Sequence, residues 1–441
     1  MYMNFLPSLK RSLYAAGVIT VSLFSSCSSN KNLVTYTVAD TTAFSVYDDF
    51  NRAFLDSTKY IYRNTFADKR AKDRFNGAAA IWCQPMYLDM ALNAMELARK
   101  QGNSVKEAEY RKLSNKILDG NIKQYLNFDF DNCDETFGWF IYDDIQWWTI
   151  TLARAAKLLG RDDCRELAEK SFARVWYGSP RVGDTGSYAD PEKGLGGGMF
   201  WQWQPLRNPH RNEAGHGKMS CINFPTVIAA MLLSDLAPAD RKADSSPETW
   251  TNKYGDFSRP HYETKDRYLE MAKEIYDWAY DHLGEPSGRI CDNTHGNNRG
   301  GGPLIYNQGT YIGASALLYL ATGDPRYLDN AKAGADYSIN EMSKNGVLPW
   351  AHNHRNPYDQ GSLEQGIYPA IWIQYMDLLV NDCQQQQYRD FIHHNIEEGL
   401  KNRNLYGICD GELAQPTGTS LPIGSYAAST LPSLLLLFPS R

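Results

Sequence analysis

Two adjacent aspartates, Asp143 and Asp144, sit inside the stretch "IYDDIQWW" (141–148), among isoleucine, tyrosine and tryptophan side chains. The same dipeptide recurs at 48–49 and 162–163. After Gly160-Arg161 it reads as a helix start, where short acidic side chains cap free N–H groups and suit the positive end of the dipole. Asp48-Asp49 invites the same reading, but Asp143-Asp144 has no such explanation. Three kinds of chemistry remain for it. One carboxyl caps a helix while the other pairs with a buried Lys or Arg, or both ligate a metal, or the two form a catalytic pair. Metal ligation is disfavoured because no histidines lie nearby at helical spacing, and nothing else implies a metal or organic cofactor. Glycoside cleavage needs one carboxyl to stay protonated and donate to the leaving oxygen while another remains ionised. Aromatic neighbours raise a carboxyl pKa by desolvation, and an adjacent carboxylate disfavours a second negative charge. Helix neighbours point about 100° apart, so both reach one cavity only where the helix enters it end-on.

Sugars would also account for the aromatic content, 13% of residues with 11 Trp and 28 Tyr. A pyranose ring offers a face of C–H groups to Trp or Tyr, and its hydroxyls need Asn, Gln, Asp and Lys. "IWCQPMYLD" (81–89), "GGGMFWQW" (196–203) and "IYNQGTY" (305–311) have this mixed character at segment edges.

The elements that must position these residues are helical. Apolar residues recur at i, i+3 and i+4, which predicts helices over about 43–66, 79–100, 106–124, 142–159, 162–177, 218–235, 265–284, 308–322, 325–343, 363–381, 385–401 and 424–437. No strand pair is evident. Short links such as "LGRDDC" and "TGDPRYL" end one helix at Gly and open the next at Asp. Six such hairpins predict an all-α (α/α)6 barrel over residues 43–441, because no fixed period of about 34 residues supports an open superhelix. The long connections at 186–217 and 284–309, rich in Gly, Trp, Asn and His, then fall where a ring of helices has its pocket.

With these residues in view, the chain resembles glycoside hydrolase family 76, the endo-acting α-1,6-mannanases with an (α/α)6 barrel. The resemblance spans about 45–430. Its most specific element is Asp143-Asp144-x-x-Trp147. In the same order come Trp82-x-Gln84 with Asp89, the Gly196-Gly197-Gly198 turn with Trp201, then Lys218 and Asn223. Next are the Trp278 helix ending in "GRICD" with Asp292, and Tyr306-Asn307-Gln308-Gly309 before "LLYLATGDPRYLDNA". The resemblance implies Asp143 as nucleophile and Asp144 as general acid/base in a double displacement with retention. It implies Trp82, Trp139, Trp147, Trp201 and Tyr306 as sugar platforms. Gln84, Asp89, Lys218, Asn223, Asp292, Asn307 and Gln308 would contact hydroxyls. Each has a core or loop-stabilising role as its alternative. The chain departs from the family pattern at Lys218-Met219, where Lys-Asn is common, and at Glu364-Gln365-Gly366, where Phe-Lys-Gly is; both changes bear on subsites.

The N-terminus reads as an export signal: Lys10-Arg11, then the apolar stretch 12–24, too short to span a bilayer, then "LFSSC". That resembles a lipobox, giving a lipoprotein signal peptide (1–26), lipidation at Cys27 and a tether (27–42). The expected location is the Gram-negative cell envelope, outer membrane, on its periplasmic or surface face; ordinary cleavage nearby is the alternative. Beyond Cys27 seven cysteines remain, without Cys-x-x-Cys spacing; an odd number leaves at least one free thiol and room for one or two disulfides. A net charge of −6 carries no basic footprint for nucleic acid. The expected partner is α-mannan or a manno-oligosaccharide, acted on by a monomer. Two other readings stay open: another (α/α)6 glycosidase such as an unsaturated-uronyl hydrolase, and a non-catalytic glycan-binding lipoprotein, which would have no use for the aspartate pair. A helical scaffold for protein partners would leave the Gly-Trp-Asn loops unexplained.

Overall fold

The computed structural model describes residues 42–66, 77–132, 139–202, 217–295, 298–350, 363–419 and 423–439. The expected leader, Cys27 and nearly all of the tether lie outside these residues, as does Cys133.

The described residues are mostly helical. In order they form α1 (Ala43–Phe54), α2 (Gln84–Lys100), α3 (Ser104–Gln124), α4 (Tyr142–Ala155), α5 (Asp162–Tyr177) and α6 (Ser220–Leu236). After these come α7 (Lys265–Leu283), α8 (Ile305–Thr322), α9 (Pro325–Tyr337), α10 (Tyr368–Asp377), α11 (Arg389–Lys401) and α12 (Thr430–Leu437), the last preceded by a single turn at Ser425–Ala428. Local chemistry sets several ends. Gly323 closes α8 with a left-handed φ of 71°, and the Asp324 carboxylate accepts from Arg326 N to open α9, with Pro325 in its first turn. Thr264 caps α7 by accepting from Arg267 N.

Burial separates two classes of helix. α6 buries 14 of its 17 residues, whereas α7 buries only Tyr268, Met271, Ala272, Ile275, Tyr276, Ala279 and Leu283, a single stripe at helical spacing. The even-numbered helices pack in succession, α2 on α4, α4 on α6, α6 on α8, α8 on α10 and α10 on α12, and α12 packs back on α2. Helices α3, α5, α7 and α9 each cover the even-numbered helix before them, and α1 and α11 lie on α12. Polar side chains also tie the even set together. Arg154 of α4 pairs with Asp89 of α2 at 2.6 Å and donates to Asn93 at 2.7 Å, and Asn93 donates to Gln374 of α10 at 2.7 Å.

Four small antiparallel sheets, absent from the sequence-based expectation, decorate the helices. They comprise β1 (Leu55–Asp56), β2 (Ile61–Tyr62), β3 (Thr65–Phe66), β4 (Lys218–Met219), β5 (Glu248–Asn252), β6 (Gly255–Arg259), β7 (Asn293–His295), β8 (Asn298–Gly300) and β9 (Ile423–Gly424). Most of these strands are too short for a two-residue alternation to register. The expected helix 43–66 therefore stops at Phe54, and its remainder forms the β1–β2 hairpin and β3. The helix expected at 218–235 begins at Ser220, leaving Lys218 in β4 opposite Thr294 of β7. The helix expected from 308 begins three residues earlier, which moves Tyr306 and Asn307 into its first turn.

Candidate active site

Asp143 and Asp144 occupy the first turn of α4. This corrects one expectation: the pair does stand at a helix start, where free amides and the dipole favour negative charge. What precedes it is rigidly held. Tyr142 N donates to Trp201 O at 3.0 Å, and the Tyr142 hydroxyl donates to Asp184 at 2.7 Å. Asp184 is fully buried against Arg174, whose guanidinium also donates to the carbonyls of Phe130 (3.1 Å) and Trp139 (3.2 Å). A buried ion pair with its remaining donors satisfied fixes geometry, and here it fixes the residue beside Asp143.

The environment treats Asp143 unusually for a carboxylate. Part of the residue still faces open space, but its Oδ1 is shielded from solvent and has no hydrogen-bond partner. Burial pushes its pKa up to about 7, against the opposing pull of hydrogen bonds from the Cys221 thiol, the Trp201 indole and the amides of residues 143 and 144. Burial and then the Asp143 charge push the Cys221 thiol well up, while the Tyr306 hydroxyl pulls it back. Tyr306, Cys221 and Asp143 thus act on one another across the starts of α8, α6 and α4.

Other residues converge on the same end. Tyr306 stacks on Tyr368 with centroids 4.0 Å apart and planes 18° apart, and the Trp82 ring is tilted against that of Tyr368 with centroids 6.3 Å apart. The Trp82 indole donates to Glu364 at 2.9 Å. Asp292 accepts from Asn307 Nδ2 at 3.1 Å and from Asn293 at 3.1 Å, and its charge acts on Tyr306, Tyr368 and Cys221. Glu364 and Asp144 both act on the buried Cys83 thiol, whose pKa rises first through burial and then through their charges. Four carboxyls, Asp143, Asp144, Asp292 and Glu364, therefore share one region with Trp82, Trp201, Tyr306 and Tyr368. Trp82, Asp143, Asp144, Tyr306, Glu364 and Tyr368 sit at or just before the N-terminal ends of even-numbered helices, and Trp201 and Asp292 on the connections that precede α6 and α8.

Of the residues the sequence singled out, the structure brings Trp82, Trp201, Asp292, Tyr306 and Asn307 to the aspartate pair. The others are engaged elsewhere. Trp147 and Trp139 are 1% and 3% exposed, and Trp139 packs on Phe130 at 5.1 Å, so neither offers a face to a ligand. Gln84 is spent on the backbone of Tyr62 and Ala79, and Gln308 on Ile290, Gly288 and Gly334. Asn223 bridges Met199 and Met219, and Asp89 is the core partner of Arg154. Lys218 donates to the carbonyls of Leu195 (2.7 Å) and Gly197, and burial lowers its pKa to about 8. It holds the Gly-rich turn, which Trp278 clamps from outside by donating to Gly196 O at 2.8 Å. A Cβ at Gly198, where φ is +73°, would lie 2.3 Å from the Trp278 ring, so glycine is required there. Cys221, Tyr368 and the functional contact of Glu364 had no sequence signal, because only tertiary folding brings them to Asp143 and Trp82.

Six cysteines, Cys83, Cys164, Cys221, Cys291, Cys383 and Cys409, are buried free thiols, which removes them from the possible disulfides. Among the described residues no helix is long and apolar enough to cross a membrane, and no group of three or more His, Cys, Asp or Glu is arranged to hold a metal ion.

The fold has solved counterparts. An inactive variant of the α-1,6-mannanase from a Salegentibacter species, with two consecutive aspartates replaced and α-1,6-mannotriose bound, aligns over 90% of this chain and 97% of its own, with a TM-score of 0.65 and 20% identity. A family 76 glycoside hydrolase (mannosidase) from Bacteroides thetaiotaomicron aligns over 90% and 97%, with a TM-score of 0.63 and 19% identity. A protein from Chaetomium thermophilum in complex with glucosamine aligns over 90% of each chain, with a TM-score of 0.57 and 14% identity. At these identities the likeness is one of fold. Within the sequence, residues 260–408 match the family model for glycosyl hydrolase family 76. No curated protein sequence matches the chain.

Proposed function

We propose that the protein is a family 76 glycoside hydrolase, an (α/α)6 barrel that cleaves α-1,6-mannosidic linkages within mannan and retains anomeric configuration. The observation that carries this reading is the Asp143-Asp144 pair in the first turn of α4, with one carboxyl desolvated and aromatic faces beside it. The matched segment 260–408 and the shared fold support the family, and the circular succession of even-numbered helices supports the barrel. The Salegentibacter enzyme, inactive when its two consecutive aspartates are replaced, supports a catalytic dipeptide.

In the proposed mechanism an Asp143 oxygen attacks the anomeric carbon while Asp144 gives its proton to the departing glycosidic oxygen. The Asp144 carboxylate then takes a proton from water, which attacks the same carbon and releases Asp143. Retaining pairs are typically about 5–5.5 Å apart, a separation neighbouring aspartates can satisfy. Because Asp143 holds its proton up to about pH 7, attack requires that it first ionise. Trp82, Trp201, Tyr306 and Tyr368 would hold sugar faces, and Asp292, Asn307 and Glu364 would meet hydroxyls. The proposal includes export and a lipid anchor at Cys27 in the cell envelope.

Incubation with α-1,6-mannan and chromatography of the products tests it. Internal cleavage is expected, with Asp143→Asn and Asp144→Asn each lowering the rate at least about 10³-fold. Untouched mannan, or full activity in both variants, would sink the assignment.

A further inference from the structure

Away from the aspartate pair, a cavity of about 450 Å³ opens between the end of α5, the segment 185–195, the β5–β6 hairpin and Arg267 of α7. Its size falls in the range of about 300–1,000 Å³ typical of small-ligand sites. Aromatic rings form much of its wall, and their orientation is fixed from behind. The Tyr177 hydroxyl donates to Glu263 and the Tyr188 hydroxyl to Glu274, so what these residues present inward is ring rather than hydroxyl. Tyr188 is stacked on Trp176 at 4.5 Å and 17°. From the hairpin, Phe257 is backed by Trp250 at 5.4 Å and carries the Lys193 ammonium over its ring at 5.0 Å, and Tyr254 is 42% exposed. The hairpin is rooted, since Arg259 grips Asp131 with bonds of 2.8 and 3.0 Å and donates to Gly178 O at 2.9 Å.

The charged groups lining the cavity are Asp190, Asp256, Lys193 and Arg267. Two acids offset two bases, which gives an ionic ligand no advantage while offering hydroxyls both donors and acceptors. Fixed aromatic faces with balanced polar groups match a neutral sugar. The position also matters. Leu195 lines the cavity, and six residues later the Trp201 carbonyl accepts from Tyr142 N, beside Asp143. Between them the backbone is held by Lys218, Trp278 and pairings to Ser187 and Ala189. A chain of six residues spans at most roughly 20 Å.

We propose that this cavity is a second glycan-binding site, which holds a neutral polysaccharide at a remove from the bond being cut. Its link to mannan rests on the reading of the aspartate pair given above. The test uses Tyr254→Ala and Phe257→Ala, singly and together. Electrophoresis of the Asp143→Asn/Asp144→Asn protein through gels containing α-1,6-mannan should show retardation that the double hairpin variant weakens about tenfold, the scale of roughly 1.4 kcal/mol lost from aromatic contacts. In the active enzyme the same substitutions should lower kcat/KM on mannan while leaving the rate on α-1,6-mannotriose unchanged, which also shows the variants folded. Equal retardation and equal polymer kinetics with and without the hairpin rings would overturn the site. If wild type cleaves neither mannan nor mannotriose, the catalytic reading fails instead. Gels containing α-glucan, galactan or β-mannan then decide the cavity: retardation lost in the hairpin variant supports it, and none with any polysaccharide overturns it.

Discussion

Asp143-Asp144 and Asp162-Asp163 are the same dipeptide in the same place, the first turn of a helix whose N-cap residue supplies no side-chain cap. At α5 the pair meets water and arginine. The side chains of Asp162 and Asp163 are 86% and 53% exposed, with Arg165 at 3.4 Å from the first and Arg161 at 2.5 Å from the second, and the Arg161 bond lowers the Asp163 pKa. At α4 no Arg or Lys pairs with Asp143 among the described residues, and burial drives its pKa the other way, to about 7. A helix terminus therefore does not decide what an acidic pair does. Access to water and a counter-charge decide it.

The largest expected effect breaks the comparison on activity. Asp143→Asn or Asp144→Asn should cost at least about 10³-fold in kcat on α-1,6-mannan, whereas Asp162→Asn and Asp163→Asn should stay within about twofold; a comparable loss at α5 would mean the dipeptide matters for folding alone. Next, kcat/KM should climb as pH rises toward about 7, as ionised Asp143 becomes the attacking form. A profile that shows no rise toward 7 and only falls through it would assign Asp143 the proton-donating role and exchange the two aspartates.

Stability should separate the pairs in opposite directions. A carboxyl whose folded pKa lies above its unfolded value stabilises the fold at low pH and loses that contribution as pH rises through the folded pKa. For Asp143 the window runs from about 4 to about 7, so Asp143→Asn should raise the thermal midpoint at pH 8 by a few degrees and change it little at pH 4. Asp163 has a lowered pKa, so its contribution exists above the unfolded value and fades as pH falls; Asp163→Asn should cost only about 0.2–1 kcal/mol at pH 7 for so exposed a pair. Thermal melts at the two pH values read both. The smallest effect concerns Cys221. Cys221→Ala removes a donor to Asp143, so the acid limb of the pH–rate profile should move upward with less than about a tenfold loss in kcat/KM. An unmoved limb would remove the thiol from the account.

Much of the fold was legible because long amphipathic repeats such as Tyr268–Leu283 leave a periodic trace, and because Gly323-Asp324-Pro325 states a helix boundary in three residues. The β5–β6 hairpin was not, since Glu248–Arg259 carries only Trp250, Tyr254 and Phe257 as large apolar or aromatic side chains, without a two-residue alternation along both strands, and is stabilised by Arg259 reaching Asp131. For the candidate site, residue type misled where backbone needs competed. Gln84, Asn223 and Gln308 have the amides a sugar would use, yet each satisfies buried loop backbone beside a helix start. Trp147 shares the aromatic run that drew attention to the pair, but it lies on the core side of α4. Glu364 stood out only as a departure, and its bond to Trp82 depends on packing between residues 282 positions apart.

The central claim, a double displacement on mannan by Asp143 and Asp144, is tested most directly by proton NMR of the first sugars released from α-1,6-mannan, recorded before mutarotation. The account predicts new reducing ends in the α configuration, absent when either aspartate is replaced. β-configured ends, or no release at all, would contradict it.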